Sequence, residues 1–255
     1  MQVKTKTIVK FCEDYLKVKT FEDYCINGLQ VEGTESTNKI ITGVSLSGKL
    51  IEAAINKKAN TIMVHHGLFK SLIGTPPQIK GVTKNRLKLL LENNINLMGF
   101  HLPLDAHPVI GNNISILKTL GLKKIGGITE PMYGEIGYIG ELKTAVNFQD
   151  FADLIKEKIN SKLYTIAAGP KKVKTVGIIS GGASPSFEIV SDLGCDTYIC
   201  GDIREEIVRA VEEKKINFIN AGHYNTEIFG IKNLGELVSK KFKISVEFVD
   251  IPCDV

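Results

Sequence analysis

The stretch Thr61-Ile62-Met63-Val64-His65-His66-Gly67 constrains this chain more than any other. An apolar run this short, flanked by turn-forming residues, reads as a buried strand. In open α/β sheets, ligands gather just beyond the carboxyl ends of the strands, and here that end carries two adjacent imidazoles. The chain holds only five histidines, at 65, 66, 101, 107 and 223. Each follows an apolar run and stands near a Gly, a Pro or an acid, so the histidines mark strand ends throughout.

Short apolar runs alternate with helical periodicity along the whole chain, the pattern of an α/β protein. Strands are predicted at 40–44, 61–64, 95–100, 137–142, 163–168, 173–179, 197–200, 216–220 and 244–249. Helices are predicted within 3–19 and at 48–58, 82–93, 112–120, 148–160, 186–193, 204–214 and 225–241. Asn27-Gly28 is a turn signal. Pro103 and Pro108 bias Leu102 and His107 away from helical angles, which predicts an extended loop after His101. Pro76-Pro77 and three glycines make 67–81 a loop, with 71–81 expected to be a lid.

Two pieces of sequence echo each other. Thr42-Gly43-Val44-Ser45, a helix and Thr61-Ile62-Met63-Val64-His65-His66 correspond to Val176-Gly177-Ile178-Ile179-Ser180, a helix and Thr197-Tyr198-Ile199-Cys200-Gly201-Asp202. Asn94-Ile95-Asn96-Leu97 leading to His101 corresponds to Lys215-Ile216-Asn217-Phe218 leading to His223, and an acid follows four residues later in both, Asp105 and Glu227. The expectation is two similar α/β lobes, 1–127 and 128–255, divided near Gly121, Gly126 and Gly127. The C-terminal part is expected to pack back on the first lobe, with a site between the lobes at the C-terminal ends of the strands.

Composition removes other classes. A formal net charge of +4 in 255 residues, with no dense Lys/Arg run, argues against a nucleic-acid partner. Lys171-Lys172-Val173-Lys174 reads as a solvated turn. Five cysteines without C-x-x-C spacing argue for a reduced, cytoplasmic setting, with Cys195 and Cys200 as small buried hydrophobes rather than ligands. No signal peptide and no membrane-spanning run is expected.

The candidate cluster is His65, His66, Asp105, His223 and Glu227, with His101 and His107 close by. Imidazoles and carboxylates together suit Zn, Fe, Mn, Co or Ni. The set exceeds the needs of one tetrahedral ion, and because a carboxylate can bridge two cations, two divalent ions are the economical reading. Adjacent residues of a strand point to opposite faces, so both histidines are expected to reach one site only past the strand's end, where Gly67 frees the backbone. The chemistry implied is metal-assisted hydrolysis. Asp202 and Glu205 read as a helix N-cap and a helix N-terminal acid. Ser180-Gly181-Gly182 reads equally as an anion-binding turn or a plain one.

His65-His66-Gly67, the run from His101 to Pro108 with Gly111-Asn112-Asn113, and Gly222-His223-Tyr224-Asn225-Thr226-Glu227 resemble the signature stretches of the GTP cyclohydrolase I type 2 homologs, a dinuclear-metal, ring-forming family. Asn27-Gly28-Leu29-Gln30-Val31-Glu32-Gly33 matches its N-terminal pattern, although the Trp-Asp-Asn run of many members is here Tyr24-Cys25-Ile26-Asn27. The resemblance runs end to end, in the short form without an inserted domain. It implies His66 and Asp105 on one metal and His65 and His223 on the other, bridged by Glu227; the ions would be Fe, Zn or Mn. It also implies a site-lining, proton-moving His101, a toroidal homohexamer, and a nucleotide-like or phosphorylated small-molecule substrate. No residue reads as a guanine-specific contact, so the family's name is no demonstration of its substrate. The alternative is a non-enzymatic metal-binding or interaction ring.

Overall fold

A computed structural model describes residues 2–70 and 78–254. Residues 71–77, most of the predicted lid, lie outside the described residues. In chain order the elements are β1 (Val3–Lys4), α1 (Thr5–Leu16), β2 (Gly28–Val31), β3 (Ser36–Thr37), β4 (Lys39–Ser45), α2 (Gly48–Asn56), β5 (Thr61–His66), α3 (Gly81–Glu92), β6 (Asn96–Gly99) and α4 (Leu102–Asp105). There follow α5 (Asn112–Thr119), β7 (Lys123–Glu130), β8 (Gly134–Asn147), α6 (Phe148–Lys158), β9 (Tyr164–Ala167), β10 (Lys172–Ile178), α7 (Phe187–Asp192) and β11 (Thr197–Cys200). The last are α8 (Glu205–Lys214), β12 (Asn217–Asn220), α9 (His223–Phe242) and β13 (Ser245–Phe248). Two compact units result: Met1–Leu104 with Gly230–Ile251, and Asp105–Phe229 with Pro252–Val255. Among the described residues, no helix is long and apolar enough to cross a membrane.

The first unit is a five-stranded mixed sheet in the order β13-β4-β5-β6-β2. Its strands run parallel except β2, which is antiparallel to β6. β4 is buried from Ile40 to Val44, as a central parallel strand must be. On one face Ile41, Ile62, Val64 and Leu97 pack against Leu50, Ile51 and Ala54 of α2 and Leu90 of α3. On the other face Thr42 receives α9, where a Cβ on Gly235 would lie 3.2 Å from the Thr42 methyl. Apolar burial of this kind contributes about 25 cal/mol per Å2.

The second unit is a six-stranded mixed sheet in the order β7-β8-β10-β11-β12-β9. Its central strands β10, β11 and β12 are parallel, and β9 closes antiparallel on β12. α5 and α6 cover one face through Ile116, Leu117, Phe151 and Ile155, packed with Val176, Ile178, Ile199 and Ile219.

The sequence echo is a structural one. Both units contain three parallel strands joined by two helices and flanked by an antiparallel strand, β4-β5-β6-β2 and β10-β11-β12-β9. Gly43 and Gly177 occupy the same place: a Cβ there would run into Leu50 of α2 and Val190 of α7, respectively. The buried amides at the starts of β6 and β12 also match. Asn96 Oδ1 accepts from Gly33 N–H at 2.8 Å, and Asn217 Oδ1 accepts from Gly169 N–H at 2.9 Å.

Several expectations are corrected. β7 replaces the predicted boundary, with Gly126 and Gly127 inside a strand. It lies at a sheet edge with only Ile128 buried, so its apolar signal is thin. β8 extends to Asn147 because Val146 and Asn147 pair with Val173 and Lys172 of β10. Gly28, at φ +99°, turns the chain and then opens β2 rather than ending at a turn. Leu102 is helical despite the following Pro103, because a proline in the first helical turn sacrifices no intrahelical bond. α9 starts at His223 rather than 225, which puts His223 and Glu227 one turn apart.

Candidate metal centre

β5 does not stop before its histidines. It carries both, with His66 in register opposite Ser45 of β4. His65 is fully buried, and its Nδ1–H donates to the Phe100 carbonyl at 2.9 Å. A carbonyl only accepts, so the proton is on Nδ1 and Nε2 is the ligating atom. His66 Nδ1 shares a 2.9 Å hydrogen bond with Ser45 Oγ. The rings of His65 and His66 stand 4.6 Å apart, and the His101 ring lies 5.0 and 5.5 Å from them. Each of the three imidazoles can offer one nitrogen within 4.8 Å of the others. The expectation that both histidines meet only past the strand's end is therefore corrected: they converge while still in the strand.

His101 is held by a residue the sequence reading missed. Its Nδ1–H donates to Asp23 Oδ1 at 2.9 Å, and the two side chains are 6 % and 3 % exposed. Asp23 also accepts from Cys25 N–H at 2.8 Å, Asn27 Nδ2–H at 2.8 Å and Leu102 N–H at 3.0 Å. Burial pushes the Asp23 carboxyl up, but its bond to and charge attraction with His101, together with the Cys25 amide and Asn27, hold it below the usual range. Asn27 Oδ1 accepts from His101 N–H at 2.7 Å. The Tyr24 hydroxyl lies 3.5 Å from His101 Nε2. Nothing in the spacing of Asp23 and His101, 78 residues apart, announces the pair.

The second unit collects the acids. Asp105 is 4 % exposed, and its Oδ1 accepts from Asn112 Nδ2–H at 2.7 Å and Ser180 Oγ–H at 2.9 Å. Glu227, 3 % exposed, meets His223 Nε2 through Oε1 at 3.2 Å on the same helix face. A carboxylate oxygen of Asp105 can lie within 4.8 Å of one of Glu227. Two buried carboxylates this close repel and are costly to desolvate, a cost that a divalent cation offsets. The Glu227 carboxylate sits against Gly181, whose φ of +70° and missing Cβ leave it room. The donors, first-unit imidazoles with Nδ1 engaged and second-unit buried carboxylates beside His223, thus fit divalent metal ligation.

Other expected residues do different work. His107 Nδ1 accepts from the amides of Val109 and Ile110 at 3.2 and 3.3 Å, closing a turn. Asp202 does not cap α8, whose N-cap is Arg204; it accepts from Ser184 N–H and Oγ–H at 2.8 and 3.1 Å. The Ser180 and Gly181 amides donate to Asn113 Oδ1 and Thr226 Oγ1, so this loop is a fastened turn and not an anion nest. Cys195 and Cys200 are buried, and burial pushes the Cys195 thiol up to about 12 and the Cys200 thiol well above its ordinary value, as expected of small packed hydrophobes.

The fold and these clusters define an α/β protein with two mixed sheets, helices on their faces and buried His/Asp/Glu groups compatible with metal. The chain belongs to the Duf34/NIF3 (NGG1p interacting factor 3) family, whose model matches residues 3–254. It is 41% identical to the GTP cyclohydrolase 1 type 2 homolog of Haemophilus influenzae over 90% of each chain. It is 37% identical to the Escherichia coli homolog of the same name, over 98% of this chain and 99% of that one. Among solved structures, protein ybgI, described as of unknown function, superposes with a TM-score of 0.93 at 36% identity over 99% of this chain and all of that one. A Thermus thermophilus protein superposes at 0.87 and 29% identity, with the same coverage.

Proposed function

We propose that this chain is a dinuclear metal-dependent hydrolase of the GTP cyclohydrolase 1 type 2-like kind, acting on a nucleotide-like or phosphorylated small molecule in the cytoplasm as a homohexamer. The observation that carries the metal reading is the commitment of the Nδ1 atoms of His65 and His66 to Phe100 O and Ser45 Oγ. Orienting a ring through one nitrogen so that the other ligates is how metal-binding histidines are held. In this reading His66 and Asp105 would hold one ion and His65 and His223 the other, with Glu227 shared between them. Fe, Zn and Mn all suit such donors. The chemistry such ions supply is Lewis-acid polarisation of a carbonyl or phosphoryl oxygen. Ser180 and Asn112 hold Asp105 in place, and His101 receives or returns a proton at Nε2. The names of the relatives in Haemophilus influenzae and Escherichia coli support a purine nucleotide as the first substrate to try.

The test is metal content per chain by plasma mass spectrometry, on the wild type and on Asp105→Ala and Glu227→Ala, followed by a nucleotide hydrolysis screen. About two divalent ions per chain, lost in both variants together with turnover while the circular dichroism spectrum is kept, is the expected result. Metal bound with no turnover of any nucleotide tried favours the non-enzymatic metal-binding ring instead.

A further inference from the structure

We infer that Asp23 is a positioning residue that fixes His101 as the Nδ1–H tautomer and so makes Nε2 an acceptor at the site. The inference rests on the proposed function only in counting His101 among the site residues. The geometry is local to the first unit. A carboxylate has only acceptor lone pairs, so the 2.9 Å contact between Asp23 Oδ1 and His101 Nδ1 places a proton on Nδ1. In the neutral ring Nε2 then carries a lone pair, and the Tyr24 hydroxyl lies 3.5 Å from it as a donor. The ring sits edge-on to Tyr24, with centroids 4.9 Å apart, and beside His65 and His66. A substrate that meets His101 must therefore present an N–H or O–H, not an acceptor.

Asp23 is itself clamped. Both its oxygens accept bonds, from Cys25 N–H, Asn27 Nδ2–H and Leu102 N–H besides the imidazole. It cannot swing away without releasing the loop before β2 and the first turn of α4. The main chain of His101 has a separate anchor in Asn27 Oδ1, so holding the backbone does not by itself require an acid at 23.

The second unit offers an internal comparison. Ahead of β9, the counterpart of β2, stands Asn160, whose Nδ2–H donates to the Ala221 carbonyl at 3.1 Å. The counterpart of His101 is His223, which pairs with Glu227 of its own helix. The carboxylate on His223 thus comes from its own helix, and the segment ahead of β9 carries an amide that bonds main chain instead. An acid ahead of the strand, reaching the histidine through Nδ1, belongs to the first unit alone among these two pairs.

The experiment is long-range proton–nitrogen correlation spectroscopy on the full chain with labelled histidine, the His101 signals being identified by their loss in His101→Gln. Wild type is expected to show His101 as Nδ1–H. Asp23→Asn is expected to lose that resonance in favour of Nε2–H, because an amide can turn its own N–H toward Nδ1; substituting amide for carboxylate behind a histidine selects the wrong tautomer in this way. Asp23→Glu, which keeps the acceptor, is expected to restore Nδ1–H. Nε2–H in the wild type, which needs no variant to fold, or an unchanged Nδ1–H in folded Asp23→Asn, overturns the inference. Metal content in the same samples separates this inference from the functional reading. Unchanged metal with a switched tautomer supports both. Metal lost along with the switch sustains the positioning role and overturns the ligand set proposed above, which leaves His101 out.

Discussion

His65 and His66 are consecutive residues of β5, yet their rings stand 4.6 Å apart. Alternation along a strand points neighbouring side chains to opposite faces. The two rings converge because each is tied to a different neighbour, His65 to the Phe100 carbonyl that follows β6 and His66 to Ser45 at the end of β4. Ser45→Ala removes one tie and leaves the other. The expected outcome is metal affinity weakened about 10- to 100-fold, the usual effect of losing a ligand's support. The exposed Ser45 side chain contributes little to folding, so the thermal midpoint stays within about 2 °C. Competition with a chromophoric chelator, alongside calorimetry, checks both halves.

Ser180 does for Asp105 what Ser45 does for His66, but inside the second unit. Its hydroxyl donates to Asp105 Oδ1 at 2.9 Å, and both residues are buried. Ser180→Ala leaves Asn112 as the remaining named donor to that oxygen. Metal affinity is again expected to fall by about 10- to 100-fold, and stability by about 1 kcal/mol for the lost hydrogen bond. A stability loss with no change in metal affinity would remove Asp105 from the ligand set.

The strand ends and their histidines were legible because buried parallel strands leave short, unbroken apolar runs, and both Thr61-Ile62-Met63-Val64 and Thr197-Tyr198-Ile199-Cys200 are of that kind. β7 was not, since a strand held by a hairpin at a sheet edge needs no apolar face. Asp23 was not, because its partner is fixed by tertiary structure alone. The absence of histidines at Gly201-Asp202 was legible as a gap in the echo, but its cause was not. A Cβ on Gly201 would stand 2.7 Å from His223 Cα, so the start of α9 leaves no room for a side chain at 201.

Thiol chemistry reports how tightly the cores are closed. Cys12, Cys25, Cys195 and Cys200 are buried, and Cys253 is exposed. Native protein is expected to react rapidly with Ellman's reagent at Cys253 alone, with Cys253→Ser removing the fast phase. Burial pushes the Cys12 thiol up to about 12, with Glu13 adding to the rise. A thiol raised on folding contributes its stability fully below the unfolded value of 9.0, and that stability is lost as pH climbs from about 9 toward about 12. Urea midpoints are therefore expected to fall steeply across that window, and less steeply in Cys12→Ala. Equal slopes in the two proteins would mean that other groups set the alkaline limit.

Two glycines with opposite surroundings give the last prediction. At Gly48, the first residue of α2 behind the Ser47 cap, an added Cβ meets nothing within 4 Å. Gly48→Ala should stabilise by about 0.4–1 kcal/mol, because alanine narrows the unfolded ensemble at no steric cost. At Gly201 the same methyl would meet His223 Cα and Thr226 Oγ1 at 2.7 Å and the Gly181 carbonyl at 2.8 Å. The His223 and Gly181 contacts are with backbone, which cannot rotate aside. Gly201→Ala should therefore destabilise by about 1–3 kcal/mol. It should also push the first turn of α9 outward, moving His223 and Glu227 together, so metal binding should fall with stability. Chemical denaturation and metal titration of the two variants side by side make the comparison. A Gly201→Ala chain with wild-type stability and metal content would show that α9 does not need this close approach to place its two ligands.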